Sequence, residues 1–137
     1  MQYNKLTIYT DGGARGNPGP AGIGAVILDE QDKVIEEVSE YIGQTTNNQA
    51  EYRALIAGLT KAKELGGEDI EVFLDSELVV KQLNREYRIK DKVLAPLFVQ
   101  AYNISLGFKK IIFKHIPREK NKLADKLVNT ALDKAGK

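Results

Sequence analysis

The sequence predicts an α/β domain in which helices cover a mixed β-sheet, with elements in the order βββαβααβα. Three strand-like segments joined by short links come first, as in an antiparallel meander. Helical and strand-like segments then alternate, and a strand that follows a crossover helix pairs in parallel with its neighbour. The length of 137 residues suits one domain, residues 1–137.

The first three strands are predicted at residues 5–10, 23–29 and 34–43. The segment 5–10 (KLTIYT) alternates and is rich in β-branched and aromatic residues. The segment 23–29 (IGAVILD) belongs to a continuous apolar run, which predicts burial on both faces. Between these two strands, the Gly- and Pro-rich stretch 12–22 (GGARGNPGPAG) is expected to be a loop.

The starts of two helices carry capping signals. Thr46 and Gln49 have capping-box spacing, so a helix is expected to begin there and to end near Gly66. Ser76 is a candidate N-cap for a second helix. The remaining elements are expected to be a strand at 70–75, helices at 76–83 and around 92–105, a strand at 110–116, and a last helix at 119–135 with Leu123, Leu127 and Ala131 on one stripe.

The composition excludes several kinds of site. The absence of cysteine excludes disulfides, thiolate nucleophiles and cysteine metal sites, and one histidine argues against a Ser-His-Asp apparatus. The longest apolar run, residues 21–28, is far shorter than the ~20 residues that span a bilayer. The N-terminal segment has no apolar core typical of a signal peptide, so a cytoplasmic location is expected.

The net charge of +1 conceals an asymmetry between the two parts of the chain. Residues 1–80 carry 6 Lys and Arg against 14 Asp and Glu, whereas residues 81–137 carry 14 against 5. One interpretation is binding to nucleic acid or another charged partner. The other is that acidic and basic faces neutralise each other within the fold.

Four carboxylates are predicted to meet at one edge of the sheet. Asp11 and Asp75 follow apolar residues at the ends of the first and fourth strands, which share an edge if these strands are parallel neighbours. Glu51 lies in the expected first turn of the helix after TTNN, and Asp125 lies early in the last helix. Clustered acids repel one another unless a cation compensates, and all-oxygen ligands favour Mg²⁺ or Mn²⁺.

Each acid taken alone has a structural alternative. Asp11 could be a turn residue, and Asp75 could cap a helix. Glu51 could be an acid stabilised by the helix dipole, and Asp125 could be a solvated surface group. The stretch 12–22 lacks a G-x-G-x-x-G pattern and precedes a strand, so dinucleotide binding is rejected. Its glycines would instead let a phosphodiester backbone approach closely, or they form a simple connector.

Four segments resemble the signature segments of type 1 ribonuclease H, in order over about residues 5–133. They are YTDGGARGNPGPAGIGAV, TTNNQAEYRAL, FLDSELVV and HIPREKNKLADKL. The resemblance implies the ribonuclease H-like fold, with sheet order 3-2-1-4-5 and helices on both faces. It also implies a divalent-metal-dependent endonuclease that hydrolyses the RNA strand of RNA–DNA hybrids and leaves 5′-phosphate and 3′-hydroxyl ends.

The resemblance also implies roles for individual residues. The metal-binding catalytic acids would be Asp11, Glu51, Asp75 and Asp125, which hold two Mg²⁺ ions, or Mn²⁺ in their place, across the scissile phosphate. One ion would activate the attacking water and the other would stabilise the leaving 3′-oxygen. Contacts to the hybrid, which include the 2′-hydroxyls that distinguish RNA from DNA, would come from Gly12, Asn17, Thr46, Asn47, Asn48 and Gln49.

Two further residues are candidates for an assisting role. His115 stands ten residues before Asp125, the spacing of a histidine that assists proton transfer in some relatives. The PREKN segment resembles the shorter branch of the family, in which an arginine such as Arg118 lies near the site. The structural alternative for His115 is a residue that only completes its strand. A reduced basic patch, in place of the protrusion that other members have, would comprise Tyr87, Arg88, Lys90 and Lys92.

Two other functions stay open from the sequence. A DNA-directed nuclease or transposase-type relative could share the fold, although recognition of 2′-hydroxyls by Asn17 and the TTNN segment has no use on DNA. A non-catalytic hybrid-binding module is the second alternative, although such a module would be expected to have lost at least one of the four acids. A monomer without an obligate protein partner is expected.

Overall fold

The computed structural model describes residues 3–137 and contains a five-stranded sheet with four α-helices. The strands are β1 (Lys5–Ala14), β2 (Gly19–Leu28), β3 (Val34–Thr45), β4 (Asp69–Leu74) and β5 (Lys110–His115). The helices are α1 (Asn47–Glu64), α2 (Glu77–Leu83), α3 (Leu94–Ser105) and α4 (Lys122–Lys134). The sheet order is β3-β2-β1-β4-β5, with β1 antiparallel to β2 and parallel to β4. The predicted fold class, element order and strand order are confirmed.

The first two strands are longer than predicted. The stretch 12–22 was expected to be a loop, but β1 continues to Ala14 and pairs with β2 up to Ala14 opposite Ala21. Gly12 lies within this extension, and an added side chain there would collide with the carbonyl of Ala50 in α1. Glycine therefore serves close packing between strand and helix here, rather than a turn.

Helices cover both faces of the sheet. Gly58 of α1 packs against Ile8 and Ala25 on one face. A side chain at Gly24 would collide with the carbonyl of Ala124 in α4. Because neighbouring residues of a strand point to opposite faces, α1 and α4 lie on opposite sides of β2. The predicted burial of β2 on both faces is therefore correct.

The starts of α1 and α2 are capped as predicted. The Thr46 hydroxyl accepts a hydrogen bond from the Gln49 amide at 3.2 Å, and the Ser76 hydroxyl accepts one from the Val79 amide at 3.3 Å. The first turn of α1 contains no acidic residue. Glu51 therefore lies in the second turn, one turn later than expected.

The last helix begins later than predicted, and its buried stripe includes Ala131 of the predicted set but not Leu123. A single 3-10 turn at residues 118–120 precedes α4, and Leu123 is 54% exposed. The buried positions of α4 are Ala124, Val128, Ala131 and Leu132. Among residues 3–137, no helix has the length and apolar character needed to cross a membrane.

Candidate active site

The two central parallel strands bring two of the predicted acids together. The ladder between β1 and β4 ends with Thr10 opposite Leu74, so the next residues, Asp11 and Asp75, leave the ladder side by side. Asp11 is buried and Asp75 is half-buried. Asp11 does not end its strand as expected, because β1 continues past it against β2.

Glu51 completes a group of three carboxylates. The backbone amide of Gly12 donates to Glu51 Oε1 at 3.0 Å. The other oxygen, Oε2, is buried and has no hydrogen-bond partner among the described residues. Asp11, Glu51 and Asp75 each offer a carboxylate oxygen within 4.8 Å of the others. This oxygen-only donor set, with one buried oxygen left without a partner, fits a hard divalent cation.

The electrostatics of the group agree with that fit. Burial raises the pKa of Asp11 from 3.8 to about 7, and the charges of Asp75 and Asp125 add to the rise. Burial also raises the pKa of Glu51 well above its ordinary value, and the Asp11 carboxylate contributes. Within residues 3–137, no salt bridge involves these four acids. A bound cation would therefore supply the positive charge that keeps them ionised.

The fourth predicted acid stands beside the group rather than in it. Asp125 lies in the first turn of α4 and lines a cleft that Asp11, Glu51 and Asp75 also line. One turn further along, the Asn129 side chain donates to Asp125 Oδ2 at 3.4 Å. Arg15 donates to Asn129 Oδ1 at 3.1 Å and pairs with Asp133 at 2.9 Å. The short connection between β1 and β2 is thus tethered to the helix that carries Asp125.

Several residues at the site were not predicted from the sequence. Arg15 and Asn129 line the cleft. Asn129 could have been identified from the sequence because it follows Asp125 by four residues, which places the two side chains on one face of a helix. Asn121 is buried between β1 and α4, where its side-chain amide donates to Asp75 Oδ2 at 3.2 Å. The sequence feature that could have identified Asn121 is its position at the start of the last helix, four residues before Asp125.

The predicted substrate contacts divide into two groups. Gly12, Asn47 and Asn48 line the cleft, which has a volume of about 530 Å³. Asn17 does not line it, but its Oδ1 accepts a hydrogen bond from the Asn47 amide at 3.0 Å. The Asn47 side chain in turn accepts one from the Ala14 amide at 2.8 Å. These contacts hold the tip of the β1–β2 hairpin against the start of α1.

The remaining two predicted contacts lie at the start of α1. Thr46 and Gln49 are half-buried and do not line the cleft. The hydroxyl of Thr46 caps α1 through the Gln49 amide. The observed contact of Thr46 is therefore the capping role, and Gln49 contributes its backbone to the same cap.

The two candidates for an assisting role lie in different places. Arg118 is exposed and lines the same cleft as the carboxylates. His115 is exposed at the end of β5 and is not among the residues that line the cleft. The hydrogen bond and charge of Lys81 lower the pKa of the Glu77 carboxyl, and His115 adds a smaller electrostatic contribution. The structure brings Arg118, but not His115, to the site.

The predicted basic patch lies outside the carboxylate cleft. Tyr87 and Arg88 line a groove of about 460 Å³ beside Phe98 and Val99. Tyr87 is 49% exposed, and the ammonium of Lys81 lies 4.9 Å from the centre of its ring. The link between α2 and α3 therefore presents both aromatic and basic groups to solvent.

The fold and the site together define the class of protein. A mixed sheet in the order 3-2-1-4-5, with carboxylates clustered where its central parallel strands part, is the arrangement of ribonuclease H-like proteins. The family described as "Reverse transcriptase-like" matches residues 9–131. The chain belongs to the type 1 ribonuclease H family, as its sequence motifs imply.

Relatives from two organisms illustrate the family. The "Bifunctional protein Rv2228c" of Mycobacterium tuberculosis is 46% identical over 132 residues, which cover 96% of this chain and 36% of that protein. "Ribonuclease HI" of Halobacterium salinarum is 45% identical over 131 residues, which cover 96% of this chain and 66% of that protein. The chain therefore corresponds to only part of each relative's length.

Solved structures of relatives match almost the whole chain. The N-terminal RNase H domain of the mycobacterial protein has a TM-score of 0.92 at 45% identity. The match covers 94% of this chain and 99% of the mycobacterial domain. LC11-RNase H1, solved in complex with an RNA/DNA hybrid, has a TM-score of 0.91 at 49% identity, with coverage of 96% of this chain and 99% of that one.

Proposed function

We propose that this chain is a divalent-metal-dependent endonuclease that hydrolyses the RNA strand of RNA–DNA hybrids. The observation that carries the proposal is the group of three carboxylates within 4.8 Å of one another in a cleft that Asp125 also lines. Membership of the type 1 ribonuclease H family supports the reaction. The relative that was solved with an RNA/DNA hybrid supports the substrate class.

The residues that would hold the metal are Asp11, Glu51, Asp75 and Asp125. Two bound Mg²⁺ ions, or Mn²⁺ in their place, would supply charge to neutralise the scissile phosphate and would lower the pKa of a coordinated water. The chain itself fixes the ligand geometry, because the Gly12 amide holds Glu51 and the Asn121 amide holds Asp75. We propose Mg²⁺ as the physiological ion because the donors are all oxygen.

The chain positions the hybrid through groups that line the cleft. The backbone of Gly12 lines the cleft, and its lack of a side chain lets α1, which carries Glu51, pack closely against β1. The amides of Asn47 and Asn48 both donate and accept hydrogen bonds, as recognition of a 2′-hydroxyl requires. The guanidinium of Arg118, which lines the cleft, suits a phosphate oxygen of the hybrid. Cleavage would leave a 5′-phosphate and a 3′-hydroxyl.

The rest of the predicted contact set would act by holding these groups in place. The side chain of Asn17 orients Asn47 by accepting a hydrogen bond from its backbone amide. Thr46 and Gln49 fix the start of α1 through the capping hydrogen bond between them. In addition, Thr46 is proposed to contact a phosphate of the DNA strand, a role compatible with capping. Action as a single domain, as a monomer and in the cytoplasm stays a prediction from the sequence, which size-exclusion chromatography and cell fractionation test.

A panel of labelled substrates tests the proposal. The protein is incubated with an RNA–DNA hybrid, duplex RNA, single-stranded RNA and duplex DNA, each with Mg²⁺ or Mn²⁺. We expect cleavage of RNA in the hybrid, no cleavage of duplex DNA, and loss of cleavage in Asp75→Asn. The control is Asp69→Asn, the same substitution at the other end of β4, which should retain activity. Intact RNA in every hybrid reaction would contradict the enzymatic proposal.

Two outcomes of the panel would favour the alternatives. Hybrid binding in EDTA without turnover on addition of either metal would indicate a non-catalytic binding module. Cleavage of duplex DNA in preference to the hybrid would indicate a DNA-directed relative on the same fold.

A further inference from the structure

We propose that Asn121 is a positioning residue that fixes the Asp75 carboxylate and joins the three elements that carry Asp11, Asp75 and Asp125. Asn121 is only 1% exposed. Its Nδ2 donates to the Thr10 carbonyl at 2.8 Å and to Asp75 Oδ2 at 3.2 Å. The inference deepens the proposed function and rests on it, because the geometry that Asn121 maintains is that of the proposed metal ligands.

The two acceptors determine the orientation of the Asn121 amide. Only the NH₂ group can donate to both the Thr10 carbonyl and the Asp75 carboxylate, because the amide oxygen would face acceptors in the reverse orientation. In that orientation Oδ1 is buried and has no partner among the described residues. An unsatisfied buried acceptor lowers the stability of the folded protein. The hydrogen bonds that its NH₂ group donates to Thr10 and Asp75 account for an amide at this buried position.

The backbone of Asn121 reaches the third element. Its carbonyl accepts a hydrogen bond from the Asp125 amide at 3.1 Å, and its own amide donates to the Arg118 carbonyl at 3.0 Å. One residue thus contacts the residue before Asp11, the side chain of Asp75 and the backbone of Asp125. Loss of the side-chain amide would free the Asp75 carboxylate to rotate and would loosen the start of α4 from β1.

The burial of Asn121 separates positioning from catalysis. A side chain with 1% exposure cannot touch the hybrid, so its effect must pass through Asp75 and α4. Groups that orient metal ligands typically change metal affinity or activity by ~10–100-fold when they are removed. A residue that only stabilises the fold would instead lower the melting temperature without a change in metal affinity.

The test compares Asn121→Ala and Asn121→Leu in the full chain. Leucine has the same branching and number of side-chain heavy atoms as asparagine, although it is bulkier, and it has no donor. Gln82→Ala is the matched control, because Gln82 is another buried amide, accepts a hydrogen bond from the Tyr52 hydroxyl at 2.6 Å, and lies outside the cleft. The first measurement is a Mn²⁺ titration, followed through the melting temperature without substrate. The second is kcat and KM on a labelled hybrid with Mg²⁺.

We expect both Asn121 variants to need about 10–100-fold more Mn²⁺ for half-saturation. Their kcat should fall by a similar factor while KM for the hybrid stays close to that of the unmodified chain. Gln82→Ala should have a lower melting temperature in EDTA but the same half-saturating Mn²⁺ concentration. The proposal is overturned if the Asn121 variants bind Mn²⁺ as the control does. It is also overturned if both variants fail to fold while Gln82→Ala folds, because Asn121 would then be structural.

The two measurements separate this inference from the proposed function. The Mn²⁺ titration needs no nucleic acid, so it tests the role of Asn121 even in a chain that cleaves nothing. Absence of hybrid cleavage by the unmodified chain, together with weakened Mn²⁺ binding in both variants, would refute the proposed function alone. Cleavage by the unmodified chain with unchanged Mn²⁺ binding in the variants would refute the inference alone.

Discussion

Asp11→Asn is expected to stabilise the metal-free protein at neutral pH while it abolishes cleavage. Asp11 is 8% exposed, and its pKa is raised from 3.8 to about 7, mainly by burial. At ~1.36 kcal/mol per pKa unit, this rise corresponds to about 4 kcal/mol of stability that the folded protein loses when Asp11 ionises. Asparagine keeps the shape without the charge, but it also changes the interaction with the neighbouring Glu51 carboxyl group. We therefore expect a net gain of about 1–3 kcal/mol.

The effect has a definite dependence on pH. Between pH 3.8 and about 7, the folded protein retains a proton on Asp11 that the unfolded chain has released. The free energy of unfolding therefore falls as pH rises through this window and levels off above it. Asp11→Asn removes this contribution, so the variant and the unmodified chain should differ little below the window and most above it.

Urea unfolding in EDTA below, within and above this pH window measures the effect, with circular dichroism as the signal. Asp69→Asn, at the opposite end of β4, serves as the control for the chemical substitution. Addition of Mn²⁺ above the window should stabilise the unmodified chain more than Asp11→Asn, because the variant lacks one ligand charge. A variant that is less stable than the unmodified chain at every pH would refute the assignment of electrostatic strain to Asp11.

Three further outcomes are expected. Arg118→Ala should lower the rate of hybrid cleavage about tenfold or more, since a hydrogen bond to a charged group contributes about 1.5–3 kcal/mol. His115→Ala should leave the cleavage rate nearly unchanged, and steady-state kinetics of the two variants tests the difference. Gly12→Ala should destabilise the fold by about 1–3 kcal/mol or more through its clash with Ala50, measured by urea unfolding. Hybrid affinity should fall steeply with added salt because phosphate contacts release counterions; a flat salt titration would contradict this.

Features that depend on nearby residues could be predicted from the sequence. The caps at Thr46 and Ser76 each involve an amide three residues away, so their spacing is visible in the chain. The meeting of Asp11 with Asp75 follows once the first and fourth strands are parallel neighbours, because a parallel pair of strands ends at one edge of the sheet. The strand order itself is implied by the resemblance of the sequence motifs.

Features that depend on distant partners could not be predicted in this way. Glycine at position 12 is compatible with a turn or with close packing, and only the position of α1 decides between them. The contact between Asn121 and Thr10 joins residues 111 positions apart. Leu123 has helical spacing with buried residues of α4, yet it is exposed because the helix packs on β2 through a neighbouring stripe.

The place of α4 at the end of the described chain has a consequence for the timing of synthesis. Asp11, Glu51 and Asp75 are all made before residue 76, but Asn121 and Asp125 emerge from the ribosome only with the last helix. Until that helix packs over Gly24, β2 has one uncovered face and the Asp75 carboxylate lacks its amide partner. The proposed metal site is therefore completed only when α4, which is made after β1, α1 and β4, packs onto the sheet.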